Sequence, residues 1–455
     1  MFAKSYINNI LLPRVELNVG PPKIAGTFNG SNEFIDVHNP SVIDIFNNET
    51  VTVENGDYNN PFGPSGGASG VRWFIVLWYK FTEDNTAGND SVLLHNGLAG
   101  NHAFKIYKED GSEDLKIFVG DGDGDGNVTL TCSDAAKYNE WTMLMIHSYW
   151  KYTDSERHIL ANWRRSALST STSSELTDIY TSDNTTDHFT LGCYREGIDN
   201  TTAANFFNGQ IANVACWVEK FISTGILYNY GMGYDYGNYN LIAPYLVMNM
   251  QFGDETISQR VDGSDNDGGG KDGDDDLILF DSTRIRKSAR SDRASNKGIQ
   301  GSMASGDFTL TNGFSVVSGG GLDGTLLRTG SGQTSSGVAT FDGFTPVVGR
   351  LYKVEITYNV TTASGDGNDT ITFAGSTIYS GTSNTTVVTT TKWVKASNTN
   401  KLVITAHSDS DATTTISVIN FRIWEYDKYG IMVNMTKSSN IGRIVQGPQG
   451  GHITP

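Results

Sequence analysis

Long stretches rich in Ala, Leu, Glu and Lys, the usual material of helices, are missing from this 455-residue chain. Aromatic residues make up 11% of it, and its 51 glycines occur with Thr, Ser and Asn between short apolar runs. This composition favours strands joined by turns. The sequence therefore predicts an all-β protein, and its length allows two or three domains with separate cores.

Long apolar runs and an excess of positive charge are also lacking. No run approaches the roughly 20 apolar residues that a membrane helix needs. The N-terminal run Ile10–Leu12 stops at Pro13, well short of a secretory signal. The formal net charge is −17, because acidic residues outnumber Lys and Arg. Binding to nucleic acid needs an excess of Lys and Arg to neutralise phosphates. We therefore expect no membrane insertion, no secretion signal and no nucleic-acid partner.

Cysteine is scarce, with only Cys132, Cys193 and Cys216 in the whole chain. Each lies in a segment with the pattern of a strand. The interpretation that we favour is three buried small apolar side chains, and the alternative is one disulfide plus a free thiol.

The strand-like runs fall into two units. We predict an N-terminal arm over 1–22, a first β-sandwich over 23–255, an acidic loop and basic linker over 256–304, a second β-sandwich over 305–428, and a C-terminal tail over 429–455. The tail lacks a core pattern, which indicates that it pairs with another chain or stays loose.

The linker and the strands carry more specific expectations. The basic part of the linker, 282–298, is interpreted as a short helix capped by Ser282 or Thr283. The runs 71–79 and 141–146 are almost continuously apolar, as in central strands that are covered on both sides. The runs 103–107 and 115–119 alternate between apolar and polar residues, so one face should be buried and the other left for solvent or a second layer.

Segments in both units resemble known jelly-roll domains. In the first unit, 25–35 (AGTFNGSNEFI), the F-x-G-x-I run 207–214 and the segment 226–234 resemble the opening, penultimate and closing parts of laminin-G-like, concanavalin-type jelly rolls. In the second unit, 349–358 and 416–426 resemble carbohydrate-binding-module-like jelly rolls of phage fibre and tail-tip proteins. The resemblance implies two jelly rolls in a phage virion surface protein, such as a head fibre, capsid decoration or tail fibre.

The motifs of catalysis are missing. Concanavalin-type glucanases carry two or three carboxylates at alternate positions of one strand, which act as acid and nucleophile. Here the nearest acidic cluster, Glu109–Asp114, contains Gly111 and is interpreted as a solvated hairpin turn. The eight histidines show no H-x-H or H-E-x-x-H spacing, so nothing points to zinc. We predict no enzymatic activity.

Calcium is the one cofactor that the residues suggest. Asp121, Asp123 and Asp125, followed by Gly126, match the first half of an EF-hand loop, but its twelfth position is Cys132 where a bidentate Glu is needed. The alternative is a Gly/Asp hairpin tip.

A second acidic group raises the same question. Asp262, Asp265, Asp267 and Asp274 repel one another unless a cation, or the basic segment 282–298, offsets their charge. A Ca²⁺ site and charge pairing within the chain both remain open.

Exposed aromatic rings are the usual platform for sugars. The candidates for carbohydrate binding are Tyr149, Trp150, Trp163, Tyr234 and Tyr236. A core or subunit-interface role fits each of them equally well, since Tyr and Trp serve both purposes.

The first functional hypothesis is a non-enzymatic protein of the virion surface that aids attachment to host surface glycans. Its partners would be other virion proteins of the capsid or tail, host glycans and further copies of itself, for example in a trimer. Two alternatives stay open: a cement protein that only stabilises a capsid, and a secreted bacterial carbohydrate-binding protein.

Overall fold

The all-β class predicted from the sequence is confirmed by a computed structural model, which consists almost entirely of antiparallel strands. The structure describes residues 24–39, 42–43, 45, 51–53, 56–58, 72–83, 88–97, 103–120, 127–151, 156–164, 169–176, 189–195, 203–219, 245–252, 257–259, 276–280, 286–288, 305–317, 325–328, 335–362, 369–381, 384–407, 414–426, 428–436 and 445–446. No helix in these ranges is long and apolar enough to cross a membrane.

The strands are numbered in chain order. The first seventeen are β1 Ile24–Asn29, β2 Phe34–His38, β3 Val51–Val53, β4 Gly56–Tyr58, β5 Arg72–Phe81, β6 Ser91–Gly97, β7 Ala103–Lys108, β8 Leu115–Val119, β9 Val128–Cys132, β10 Thr142–Lys151, β11 Glu156–Arg164, β12 Ser169–Leu176, β13 Phe189–Leu191, β14 Asn208–Glu219, β15 Leu246–Gln251, β16 Ile257–Gln259 and β17 Asp276–Phe280.

Of the remaining strands, β18 precedes a 3-10 turn at Ser305–Asp307 and the others follow it. They are β18 Arg286–Ser288, β19 Phe308–Leu310, β20 Phe314–Val317, β21 Thr325–Arg328, β22 Gly337–Phe341, β23 Leu351–Thr362, β24 Asp369–Phe373, β25 Ser376–Gly381, β26 Asn384–Lys395, β27 Val403–Ala406, β28 Thr414–Tyr426, β29 Tyr429–Thr436 and β30 Val445–Gln446.

Two large sheets form the first sandwich. One has the order β12-β11-β10-β5-β14-β1-β30, with β15 also paired to β14, and the other has the order β16-β17-β29-β2-β13-β6-β7-β8-β9. Alternate residues of both sheets meet in one large core. The central strands β5 and β10 are buried on their second face as well, where Phe74, Trp78 and Met145 belong to a separate apolar cluster. Their predicted coverage on both sides is therefore confirmed.

The two sequence motifs of the first unit lie side by side. Strand β1 pairs with β14, and the Gly30 amide donates to the Phe207 carbonyl over 3.1 Å. Gly209 is required where β14 meets β5, because a Cβ atom there would lie 2.1 Å from the Lys80 carbonyl oxygen. The Phe207 ring packs against Phe28 and Phe81. The F-x-G-x-I pattern thus combines core rings with one close backbone approach.

The second sandwich consists of two smaller sheets. A six-stranded sheet has the order β20-β21-β28-β23-β26, with β18 also paired to β28, and a five-stranded sheet has the order β19-β22-β27-β24-β25. Between them lies a core of its own, built from the inward-facing residues of β23, β28 and β27 together with rings such as Phe341, Phe373 and Phe421.

The second sandwich is inserted into the first. Strand β17 precedes it and β29 follows it, and these two strands pair with each other while β29 also pairs with β2. The prediction of a loose or intermolecular tail from residue 429 is wrong for 429–436, because this segment is a strand with buried Ile431 and Met432 in the first sandwich. Strand β30 also returns to the first sandwich and pairs with β1.

The linker prediction needs a related correction. Strands β16 and β17 lie within the range 256–304, yet they extend the nine-stranded sheet. The expected short helix in 282–298 is wrong at Arg286–Ser288, which form strand β18 against β28. Backbone pairing with a long neighbouring strand outweighs a weak local helix preference. The acidic segment 261–275 lies outside the described residues.

An apolar cluster joins the two sandwiches. Phe34, Ile278 and Ile431 from the first pack together with Leu351 and Trp393 from the second. The Tyr429 hydroxyl donates to the Gly349 carbonyl over 2.7 Å, and the Tyr429 ring stacks on His38 with centroids 4.8 Å apart. The Lys395 ammonium lies 3.5 Å from His38 Nε2. Apolar contact and polar contacts thus hold the inserted sandwich against its host.

The cysteines are buried, as the preferred interpretation predicted. Cys132 and Cys216 lie in the first core, and Cys193 lies in the cluster between the sandwiches. Burial raises the pKa of the Cys132 thiol to about 12, so it stays protonated at neutral pH.

A buried arginine fastens one end of the second sandwich. Arg328 on β21 is fully buried. Its Nη1 donates to the Ala406 carbonyl at 2.8 Å, its Nη2 to the Ser335 carbonyl at 2.7 Å, and its Nε to the Asn312 carbonyl at 3.1 Å. Since these carbonyls come from β27 and from the turns beside β20 and β22, one guanidinium connects both sheets.

The Arg328→Ala substitution should destabilise the second sandwich by about 3 to 5 kcal/mol, because it removes three hydrogen bonds from a buried guanidinium at once and leaves the buried Ala406 carbonyl without this donor. The matched control is Arg422→Ala, which removes a partly exposed ion pair to Glu355 at 3.5 Å and should cost less than about 1 kcal/mol. Differential scanning calorimetry measures both. Equal small losses would contradict the role assigned to Arg328.

Folding stability should depend on the protonation of His147 on β10. Burial, with a smaller contribution from Arg72, lowers the pKa of His147 from 6.5 to about 4. Between pH 6.5 and 4, His147 binds a proton in the unfolded chain but stays neutral in the folded chain. The free energy of unfolding therefore falls as the pH drops through this range, by at most about 3 kcal/mol.

The His147→Gln variant should remove this part of the pH dependence. Urea titrations across that pH window compare it with the wild type, and a comparison at about pH 8, above both pKa values, serves as the control. Parallel pH profiles for the two proteins would show that His147 does not carry the effect.

Candidate functional site

Most of the residues proposed from the sequence lie outside the described part of the chain. This applies to Tyr234 and Tyr236, and to the calcium candidates Asp121, Asp123, Asp125, Asp262, Asp265, Asp267 and Asp274. Tyr149 and Trp150 are placed by their backbones only, in β10 opposite His158 and Arg157. Within the described ranges, no group of three or more His, Cys, Asp or Glu side chains is arranged to hold a metal ion.

Trp163 is not a sugar platform. Its side chain on β11 is 5% exposed and belongs to the core of the first sandwich. The alternation along β11 turns Trp163 inward together with Ile159 and Ala161. The open choice between platform and core is therefore decided in favour of the core for this residue.

The outer face of the nine-stranded sheet presents a different aromatic surface. Directly opposed residues form one row across it, in the order Ile431, Asp36, Thr190, His95, Lys105, Phe118 and Thr129. At its β29 end this face is covered by the apolar cluster under the second sandwich. Towards β7 and β8 it opens, and there Tyr107 and Phe118 are partly exposed.

We call Asp90, Lys105, Tyr107, Phe118 and Tyr194 the Lys105 patch. The Lys105 ammonium lies 3.8 Å from the centroid of the Tyr107 ring and 5.9 Å from that of Tyr194. The Asp90 carboxylate lies 3.5 Å from the same ammonium. Lysine over tyrosine is a cation–π contact, which orients the ring and the charge relative to each other.

Strand alternation explains how the patch forms. In β7 and β8, Phe104, Ile106 and Ile117 point into the core, so Lys105, Tyr107 and Phe118 must point outward. Beside them, Lys116 donates to the Thr131 hydroxyl over 3.1 Å and lies 3.7 Å from Glu109. The surface therefore combines aromatic rings with ammonium, carboxylate and hydroxyl groups.

Buried groups support the patch from the side of β13. The Tyr194 ring packs on His95, with centroids 4.5 Å apart. The next residue, Arg195, is 2% exposed and its guanidinium lies 3.2 Å from the Asp36 carboxylate. The two opposite charges offset each other in this buried position, directly after Tyr194 in the chain.

Partial burial changes the titration of the patch. Burial lowers the pKa of Lys105, while the charge of Asp90 and its hydrogen bond act in the opposite direction. Burial and the nearby carboxylates Asp90 and Glu109 raise the pKa of Tyr107, so its hydroxyl stays protonated near neutral pH and can donate a hydrogen bond. These groups suit non-covalent recognition of a polar ligand with an apolar face.

The acidic turn beside the patch is a hairpin, as predicted. The Ser112 amide donates to the Glu109 carbonyl over 3.1 Å, and Gly111 has a φ of +68°. Glu113 and Asp134 both pair with Lys137, at 3.8 and 3.3 Å. The carboxylates of the turn are thus engaged with neighbouring lysines or lie at the surface.

Sequence reasoning missed the Lys105 patch, although a signal was present. The alternation of 103–107 and 115–119 assigns the outward positions to solvent or a second layer, and not to a binding site. Two of those positions hold Tyr107 and Phe118, which are unusual on a solvated face. The contribution of Tyr194 could not be found in this way, because it follows a three-residue strand that is distant in sequence.

No protein-family model matches the sequence, and no curated protein matches it either. Among solved structures, the CBM40 of the Ruminococcus gnavus IT-sialidase bound to alpha2,3 sialyllactose is 19% identical, with a TM-score of 0.28, over 46% of this chain and 94% of that one. Domains LG4-5 of the mouse laminin alpha1 chain are 17% identical, with a TM-score of 0.26, over 44% of this chain and 42% of that one.

A third similar structure covers a larger share of this chain. The binding domain of botulinum neurotoxin serotype D/C is 10% identical, with a TM-score of 0.25, over 74% of this chain and 83% of that one. At such identities and TM-scores, these likenesses do not assign a family or a function to this chain.

Proposed function

We propose that the protein is a non-enzymatic glycan-binding protein that holds carbohydrate on the Lys105 patch. The observation that carries the proposal is the arrangement of Tyr107, Phe118 and Tyr194 as partly exposed rings on one sheet face, with Lys105 and Asp90 between them. Rings pack against the apolar faces of pyranoses, while charged and hydroxyl groups bind the sugar hydroxyls.

The rings of the patch are only partly exposed on one sheet face, so we expect each site to bind weakly. Strong attachment would then come from many copies that contact many sugars at once. A binding mode of this kind needs rigid presentation and no bond cleavage. The continuous nine-stranded sheet under the patch supplies that rigidity.

We propose further that the protein is displayed on the outside of a virus particle, as a head fibre, capsid decoration or tail fibre. The support for this is the resemblance of the second β unit to jelly rolls of phage fibre and tail-tip proteins, in one chain with a laminin-G-like first unit. Its partners there would be capsid or tail proteins and the glycans of the host surface.

Removing either ring should weaken sugar binding without unfolding the protein. Tyr107→Ala and Phe118→Ala should each weaken glycan binding about tenfold, as expected when a stacking contact of about 1.4 kcal/mol is lost. A glycan array identifies the ligand, and isothermal titration calorimetry then gives the change. Tyr379→Ala, at a partly exposed tyrosine of the second sandwich, is the matched control and should bind like the wild type.

If the wild-type protein binds no glycan on the array, the patch has another role and the proposal fails. Equal binding by wild type and the Tyr107 and Phe118 variants would instead move the sugar site elsewhere on the chain. Hydrolysis of a polysaccharide by the wild-type protein would overturn its non-enzymatic character.

Display on a particle is tested separately. Gold-labelled antibodies against this chain should decorate the heads or tails of purified virus particles in electron micrographs. Labelled capsids combined with a negative glycan array would favour a cement protein. Unlabelled particles, with the protein free in the medium, would favour a secreted carbohydrate-binding protein.

A further inference from the structure

A second surface with aromatic and charged residues lies on the outer face of the six-stranded sheet. In β23 and β28, Val354, Ile356 and Ile423 point into the core of the second sandwich, so the residues between them must point outward. Directly opposed outward residues form three rows across β26, β23 and β28, which are Trp393, Lys353 and Trp424; Thr391, Glu355 and Arg422; and Thr389, Thr357 and Asn420. We call Lys353, Trp424, Glu355 and Arg422 the Lys353 patch.

Two indole rings flank the Lys353 ammonium. It lies 5.2 Å from the centroid of the Trp424 ring and 5.8 Å from that of Trp393. Trp393 is buried in the apolar cluster between the sandwiches, whereas Trp424 packs against the margin of that cluster and is partly exposed. The two cation–π contacts restrict where the Lys353 charge can lie, beside a ring that remains partly open to solvent.

The Lys353 patch carries one surplus positive charge. In the next row, the Arg422 guanidinium lies 3.5 Å from the Glu355 carboxylate, so these two charges offset each other. Among the described residues, no Asp or Glu oxygen lies within 4 Å of the Lys353 ammonium. Lys105 differs in this respect, because the Asp90 carboxylate lies 3.5 Å from it. The surplus charge is therefore a property of the Lys353 patch, although the whole chain has a formal net charge of −17.

We propose that the Lys353 patch is a second binding site of this chain, and that it takes a sugar bearing a carboxylate. The carboxylate pairs with the Lys353 ammonium in a charge-assisted hydrogen bond, and the apolar face of the sugar ring packs on Trp424. Charge complementarity sets the specificity, since a neutral sugar leaves the surplus charge without a partner. The site lies on the other sandwich from the Lys105 patch and does not depend on it.

The neighbouring residues favour a sugar as the bearer of the carboxylate. A simple anion would contact Lys353 alone and leave the partly exposed Trp424 ring unused. The row of Arg422, Glu355 and the exposed Thr391 lies about 7 Å further along the strands, so it can receive the hydroxyl groups of a larger ligand. A guanidinium, a carboxylate and a hydroxyl together offer both donors and acceptors to such groups.

Isothermal titration calorimetry of the full chain tests the site with acidic oligosaccharides. The probes are trigalacturonate, a hyaluronan tetrasaccharide and sialyllactose, each compared with its methyl ester, which masks the carboxylate and keeps the sugar. The wild type should bind at least one of the acids at least tenfold more tightly than its ester, because only the acid pairs with Lys353. This difference should shrink as NaCl rises from about 0.01 to about 1 M, because salt screens a partly exposed charge.

Substitution of the lysine separates its charge from its packing. Lys353→Met removes the charge and keeps an unbranched apolar side chain between the two rings. It should weaken binding of the acid at least tenfold and leave binding of the ester unchanged. The matched control is Lys401→Met, which removes the same charge from the same sandwich at a lysine 2.9 Å from Asp342, and which should bind like the wild type.

Substitution of the ring tests the apolar contact. Trp424→Ala should weaken binding of the acid and of the ester by the same factor, about tenfold, because both lose the ring face. Trp424→Phe keeps a ring and should retain most of the affinity. Thermal unfolding of each variant confirms that it is folded, and Lys353→Met decides the question if Trp424→Ala is not.

Three results would overturn the inference. The first is that the wild type binds none of the acids, and the second is that it binds acid and ester equally well. The third is that Lys353→Met binds the acid like the wild type while Tyr107→Ala loses it, which would place the acidic sugar on the Lys105 patch. None of these results contradicts glycan binding at the Lys105 patch, so the two proposals succeed or fail separately.

Discussion

The antiparallel pairing of β17 with β29 is the constraint on which the rest of the structure depends. The chain leaves the first sandwich after β17 and returns to it at β29, so the second sandwich is inserted between these two neighbouring strands. Because β29 also pairs with β2, the return strand is locked in the interior of the nine-stranded sheet. Two connections and the apolar cluster around Tyr429 then restrict the inserted sandwich more than a single linker would.

The outer face of the nine-stranded sheet is covered by the second sandwich near β29 and is partly exposed near β7 and β8. On its outer face, Phe34 and Ile431 support the second sandwich, and the buried Arg195–Asp36 pair marks the margin of that contact. Lys105 lies three strands beyond Asp36, about 14 Å away at the usual strand spacing. One continuous layer therefore positions the inserted sandwich and the candidate site relative to each other.

Local patterns were enough to predict the strands but not their partners. The alternation of 115–119 and the apolar run 71–79 predicted a one-sided and a two-sided strand, and the glycine of the F-x-G-x-I motif proved to be a close backbone contact. The return of 429–436 to the first sheet joins residues almost 400 positions apart, which no local pattern encodes. The choice between core and surface for Trp163 stayed open for the same reason, since the facing of a ring depends on register.

The insertion also bears on how such a protein could change over time. The inserted sandwich leaves and re-enters its host on adjacent strands, with its own core and its own buried arginine clasp at Arg328. A module with closely spaced ends can be exchanged for another fold while the host sheet keeps its hydrogen bonds. The first sandwich can therefore be conserved during evolution while the inserted second sandwich is replaced.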